Sequence, residues 1–292
     1  MSYPAKYRAD KAGLTYTSAW PVFGENDTSA TALGVSYWAP MDWTEYAGPR
    51  DSRLTWTQTV YQRATLEADP IGDQNAWYKF LPGESRSAED WFGPVIRTVP
   101  AEVPDGYPFR LRCTFCREGD TFVTGYYEMD ADGRHFDTTA GDNVVYRMFR
   151  SDGSTIPVSA LNPTRFTLPA TAGTFRLEAV ETQRGLGPVR VLGQRSTTDW
   201  TFRSAPQATS GRPAGYRCFS TSDESASCAF QPLVQLRYQF AGLDSLNRAA
   251  AGETFTFDVV AGAHRLTPGA APATSLTLSS STNGAAPGSR RR

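Results

Sequence analysis

Two histidines, His135 and His264, are all the imidazole this chain has, and that scarcity bounds the chemistry it could do. A serine, threonine or cysteine becomes a useful nucleophile only with a base in hydrogen-bond reach and a third group orienting that base. His135 stands in Gly-Arg-His-Phe, read as a turn, and His264 is followed by Arg265 where a low-complexity tail is expected to begin. Neither sits in a motif that supplies an oxyanion hole, and no Gly-x-Ser-x-Gly elbow occurs. No catalytic residue is expected. Glu84, Glu89 and Asp90 could be cast as a hydrolytic pair, yet closeness in sequence does not set two carboxyls on opposite sides of a glycosidic bond. A solvated face is expected there.

Glu128-Met-Asp130-Ala-Asp132-Gly133 has the oxygen character of a calcium loop, with Glu in place of the first Asp. The position that should close such a loop with a bidentate Glu is Thr139, which leaves Glu128, Asp130 and Asp132 a weak calcium candidate and a hairpin turn the plainer reading. No cofactor is otherwise expected. Cys113, Cys116, Cys218 and Cys228 fall in two close pairs and read as disulfides, which an oxidising compartment permits. Three connectivities are open, the neighbour pairing being preferred. A zinc site of four thiolates is the rival, disfavoured because the second pair is too widely spaced for a ribbon. Of the tryptophans, Trp56 and Trp200 fall on apolar strand faces and read as core. Trp38, Trp43, Trp77 and Trp91 lie nearer to loops and are candidates for stacking on a ligand such as a sugar.

The elements that must position these residues are strands. Leu54, Trp56, Gln58 and Val60 share one face, with Thr55, Thr57 and Thr59 on the other. Phe175, Leu177 and Ala179 repeat the period, as do Val234, Leu236, Tyr238 and Phe240, then Phe255, Phe257 and Val259; Val144, Tyr146 and Met148 do so less cleanly, because Val145 and Phe149 make the opposite face partly apolar. Turn signals separate the runs, among them Asp132-Gly133, Asp152-Gly153 and Pro82-Gly83. Twenty prolines and 25 glycines argue against long helices, and one helical turn or two is expected around residues 87–91. The predicted fold is all-β, two antiparallel sandwiches of immunoglobulin-like, fibronectin-like or jelly-roll type. A stiff proline-rich linker at 98–106 divides them into domains 1–104 and 105–266. Residues 267–292 are expected to be a disordered tail, with a short strand at 275–278 as the start of a further module.

A net charge of −1 from 29 basic and 30 acidic residues gives no electrostatic ground for nucleic-acid binding. No apolar run is long enough to cross a bilayer. The first residues are polar and unlike a signal peptide, so a targeting segment is expected on a longer parent chain.

Several stretches resemble the region downstream of the catalytic domain in large actinobacterial subtilisin-like serine peptidases. Cys113-Thr-Phe-Cys116-Arg-Glu-Gly-Asp-Thr-Phe122 is similar to that family's Cys-x-x-Cys-Arg-Gln-Gly-Asp-Thr element. Thr197-Thr-Asp-Trp-Thr-Phe-Arg-Ser204, Leu233-Val-Gln-Leu-Arg-Tyr238 and Leu243-Asp-Ser-Leu-Asn-Arg-Ala-Ala-Ala-Gly252 resemble later strands and a turn. Trp43-Thr-Glu-Tyr46, Phe80-Leu-Pro-Gly-Glu84 and Trp91-Phe-Gly-Pro94 resemble earlier pieces. The likeness runs in order over most of residues 35–265. It implies accessory β modules of an exported hydrolase, hence an extracellular location. The partners it implies are a protease domain on the parent chain and a protein or polysaccharide substrate. The family's Gly-Thr-Ser-Met-Ala, His-Gly-Thr and Asp-Thr/Ser-Gly motifs are missing from this sequence. Thr274-Ser-Leu-Thr-Leu278 begins a pattern that fails after Ser279, so the chain is expected to be a fragment. The alternative is a stand-alone secreted carbohydrate-binding or adhesion module.

Overall fold

The structure is a computed structural model. It describes residues 2–9, 12–23, 31–46, 54–68, 72–78, 88–100, 102–103, 107, 109–125, 128–132, 135–140, 143–160, 162–182, 195–206, 211–219 and 226–278. Among these every regular element is a strand, and no helix is long and apolar enough to cross a membrane. The fold is all-β, with the sheets mostly antiparallel.

Alternation places Gly173–Thr182 as the sequence pattern expects, whereas Val234 and Phe255 lie outside the strands Gln235–Phe240 and Phe257–Gly262 and are exposed. In Gly173–Thr182 the residues Phe175, Leu177 and Ala179 are buried while Thr174 and Arg176 are exposed. Asn143–Arg150 pairs with it on one side and Arg195–Ser204 on the other, so Met148, Leu177 and Trp200 form one cross-strand row and Phe175 lies beside Phe202. The opposite face carries a polar row in which Arg147 reaches Glu178 at 2.7 Å and Arg176 reaches Asp199 at 2.7 Å. With Thr155–Ile156 these strands make a four-stranded sheet. A five-stranded sheet, Val158–Ser159, Asn162–Thr167, Thr121–Val123, Cys116–Glu118 and Ala229–Phe230 in that order, contributes Phe122 and Phe166 to the same apolar cluster.

The other large sheet runs His135–Ala140, Gly72–Tyr78, Thr55–Arg63, Leu14–Phe23, Thr31–Ala39. A three-stranded sheet places Ser2–Tyr7 between Met41–Tyr46, antiparallel, and Glu89–Trp91, parallel. Their shared core takes Tyr3, Ala5, Tyr7 and Trp91 from the smaller sheet and Leu14, Tyr16, Val60 and Ala76 from the larger. Val60 and Gln58 face inward as expected, but Thr55, Thr57 and Thr59 on the reverse face are buried too, so that face is not the wet one the alternation suggests.

Three further differences bear on the site. The turn of helix expected at 87–91 is the strand Glu89–Trp91, whose alternating burial follows a period of two as it pairs with Ser2–Tyr7. Two strand pairings among the described residues also span residue 104: Glu128–Met129 pairs with Arg97–Thr98, and His135–Ala140 adds an edge to Gly72–Tyr78. Residues 271–278 carry no strand, and Leu276 and Leu278 are exposed.

A third cluster surrounds the cysteines, which pair as neighbours at disulfide distance, Cys113 with Cys116 and Cys218 with Cys228. Two short parallel strands, Leu111–Arg112 and Tyr216–Arg217, hold the two pairs together.

Candidate functional site

The chemically richest place lies where the edge of the smaller N-terminal sheet meets the edge of the larger one. In Glu89–Trp91 the alternation turns Glu89 and Trp91 inward and leaves Asp90 half-buried against Arg8. The Arg8 guanidinium also donates to the carbonyls of Leu243, at 3.3 Å, and Asp244, at 2.6 Å. The chain then turns at Phe92, whose φ of 59° is left-handed. Its amide donates to Asp130 Oδ2 and to Gln74 Oε1, both at 2.9 Å.

His135 opens the strand His135–Ala140 and is fully buried. Its ring lies on Trp91 with centroids 3.9 Å apart and planes 18° apart. Nδ1 sits 2.8 Å from Asp130 Oδ2 and 2.9 Å from Oδ1; Nε2 stands 3.7 Å from Glu89 Oε2 and has no hydrogen-bond partner among the described residues. Burial alone would lower the His135 pKa, but the charge and hydrogen bond of Asp130, then Glu89 and Asp132, outweigh it and hold the ring up at about 10. Burial pushes Asp130 the other way, upward, and the imidazole beside it opposes that. Arg97 closes the rear of the site by donating to the Asp130 carbonyl at 2.8 Å, and burial brings its pKa down to about 10.

One ligand atom from each of Glu89, Asp132 and His135 lies within 4.8 Å of the others, the geometry of a group able to hold a metal ion. Asp132 is the half-buried member. As a general base this histidine lacks a target, because its two nitrogens face carboxylates. His264 is no better placed. It stacks on Phe230 at 3.8 Å, Leu266 N donates to its Nδ1 at 3.2 Å, and Nε2 meets Tyr216 Oη at 3.1 Å. An acceptor at Nδ1 requires the proton on Nε2, so the ring donates to Tyr216. Burial lowers its pKa to about 4.

The other sequence candidates scatter. Trp91 is fully buried between Tyr7 and His135, which leaves its ring no face for a ligand. Trp77 packs on the cysteine cluster, edge-on to Tyr107. Trp38 and Trp43 are exposed, at 59% and 52%, on the edge strands either side of Pro40, and Tyr46 beyond them is 80% exposed. Glu89, expected on a solvated face, is fully buried, because its strand turns alternate residues into the core; Glu84 lies outside the described residues. Of the calcium candidates, the carboxylate of Asp130 is committed to His135, Phe92 and the Asp132 amide, and the Glu128 side chain is outside the described residues. His135, expected in a turn, instead opens a strand and is fully buried. The alternation from His135 through Asp137 offered no apolar face to reveal it.

Comparison with family models, curated proteins and solved structures finds no match. Function therefore rests on this geometry and on the residues themselves.

Proposed function

We propose that this chain is a non-catalytic accessory module of an exported subtilisin-like serine peptidase. It would comprise two β-sandwich domains and a disordered tail, with the protease domain on a longer parent chain. Its work is to stabilise the protease, orient a protein or polysaccharide substrate, or attach the enzyme to a surface. The observation that carries this reading is how both histidines are used. The ring nitrogens of His135 face Asp130 and Glu89, and those of His264 face Tyr216 and the Leu266 amide, so neither holds a serine, threonine or cysteine among the described residues. Without such a pair, acyl transfer by a hydroxyl or thiol has no activated nucleophile.

Two further features support it. Neighbour-paired cysteines suit an oxidising compartment. The segment that resembles the peptidase family most is also a packing device: Arg117, directly after Cys116, is fully buried and donates to the carbonyls of Gly119 and Pro169 and to Ser204 Oγ. Reading the coding sequence upstream in all frames tests the proposal. Asp, His and Ser motifs of a subtilisin-like domain are expected, and a neighbourhood without them contradicts it.

The exposed pair Trp38 and Trp43 favours a second reading, a secreted carbohydrate-binding or adhesion module. Saturable change of tryptophan emission on titration with polysaccharides, lost in Trp38→Ala/Trp43→Ala, would support it; a flat response removes it.

A further inference from the structure

We propose that Glu89, Asp132 and His135 form a binding site for a divalent transition metal of the zinc class, with Asp130 as the carboxylate that orients the imidazole. The three donors come from three places: the inner face of the strand Glu89–Trp91, the loop that follows Met129, and the first residue of the strand His135–Ala140. An ion there ties the edge of one sheet to the edge of the other.

The donor set is specific. Zinc bound to nitrogen and carboxylate oxygen in a tetrahedron needs donors roughly 3.3–3.5 Å apart, and Nε2 to Glu89 Oε2 at 3.7 Å is already near that. The imidazole is fixed in all the ways a metal ligand requires. Asp130 holds Nδ1 at 2.8 Å, Trp91 stacks on the ring plane, and Nε2 faces the Glu89 carboxylate at 3.7 Å. This carboxylate–histidine arrangement sets the tautomer and raises ligand basicity in metal sites. A fully buried ring nitrogen without a hydrogen bond is otherwise uncommon, because burying an unanswered polar atom is costly. Among the described residues the Nε2 atom has none, which is a second observation, independent of the acidic cluster, that points to a ligand.

One nitrogen and two carboxylates select among ions. Calcium takes six to eight oxygens and is poorly served by an imidazole; soft ions ask for sulfur, which this set lacks. Three protein donors leave a position for water, and half-buried Asp132 marks the side from which the ion enters.

The test uses the full chain, freed of metal by a chelator and titrated with zinc chloride and cobalt chloride. Expected are one bound equivalent, a rise in melting temperature, and visible absorption bands of low-coordinate cobalt. Asp132→Asn is the principal variant, since a half-buried residue is least able to prevent folding, and it should weaken zinc binding by about tenfold or more, while Asp130→Asn should weaken it by about 10–100-fold without supplying a ligand itself. Calcium chloride should leave the melting temperature unmoved. Absence of stoichiometric zinc in the unaltered chain, equal affinity in Asp132→Asn, or a response to calcium alone would each overturn the assignment.

Discussion

His264 is buried where two parts of the chain close on each other, and its protonation has a cost that the fold must bear. Its folded pKa of about 4 lies below the ordinary histidine value near 6.5. Between those two values the unfolded chain binds more protons than the folded one, so stability rises with pH across that window and is lost as pH falls from about 6.5 toward 4. The full effect is at most about 3 kcal/mol. Burial is the main cause; Glu102 opposes it, whereas Arg265 and Arg237 add to it. His264→Gln keeps a donor toward Tyr216 and removes the titration. Urea midpoints at neutral pH and near pH 4.5 should converge for the two proteins on acidification. Parallel losses in both would place the acid sensitivity elsewhere.

At the scale of elements, the cysteine pairs replace apolar area with covalent closure. The cluster around them is small, built from Val103, Leu111, Tyr216 and Phe230 besides the cysteines. Opening Cys218–Cys228 by replacing both with serine should cost about 2–4 kcal/mol, by releasing loop-closure entropy in the unfolded chain. A denaturant series on that variant measures it, and mass spectrometry of the unreduced chain should show four hydrogens missing. Four titratable thiols in the native chain would contradict both the bonds and the oxidising compartment.

Which elements were legible in the sequence follows from their surroundings. Gly173–Thr182 was readable because one face meets a core and the other meets water, so polarity tracks orientation; Asn143–Arg150 was less so, since Val145 and Phe149 put apolar groups on its outer face. Thr55–Arg63 misled on its second face, since threonine suits a strand whether wet or buried and carries no signal of burial. Glu89, Asp130 and His135 were illegible as a group. Each alone reads as a surface or turn residue, and only the parallel pairing of Glu89–Trp91 with Ser2–Tyr7 and the edge position of His135–Ala140 bring them together. Such contacts depend on sheet order, which local pattern does not encode. Of the three connectivities the sequence left open, the preferred neighbour pairing is the one observed.

At the scale of the whole molecule, the two halves of the sequence share elements. His135–Ala140 covers the edge of Gly72–Tyr78, Ala131 N donates to the Gly93 carbonyl at 3.2 Å, and Arg97 is held by the backbone of Asp130. A fragment ending at residue 104 would expose the edge of that sheet and leave Trp91 without the His135 ring that covers it. Such a fragment should aggregate or lack cooperative melting, as circular dichroism and gel filtration would report. A soluble fragment melting like the intact chain would contradict the shared architecture.

The same wiring underlies the functional reading, in which both histidines serve structure and neither activates a nucleophile. The most direct measurement is peptide hydrolysis by the purified full chain, with and without added zinc, on unstructured protein substrates. The account predicts turnover no greater than that of heat-denatured protein under every condition. Cleavage that disappears in His135→Gln, while the variant keeps its fold, would contradict it.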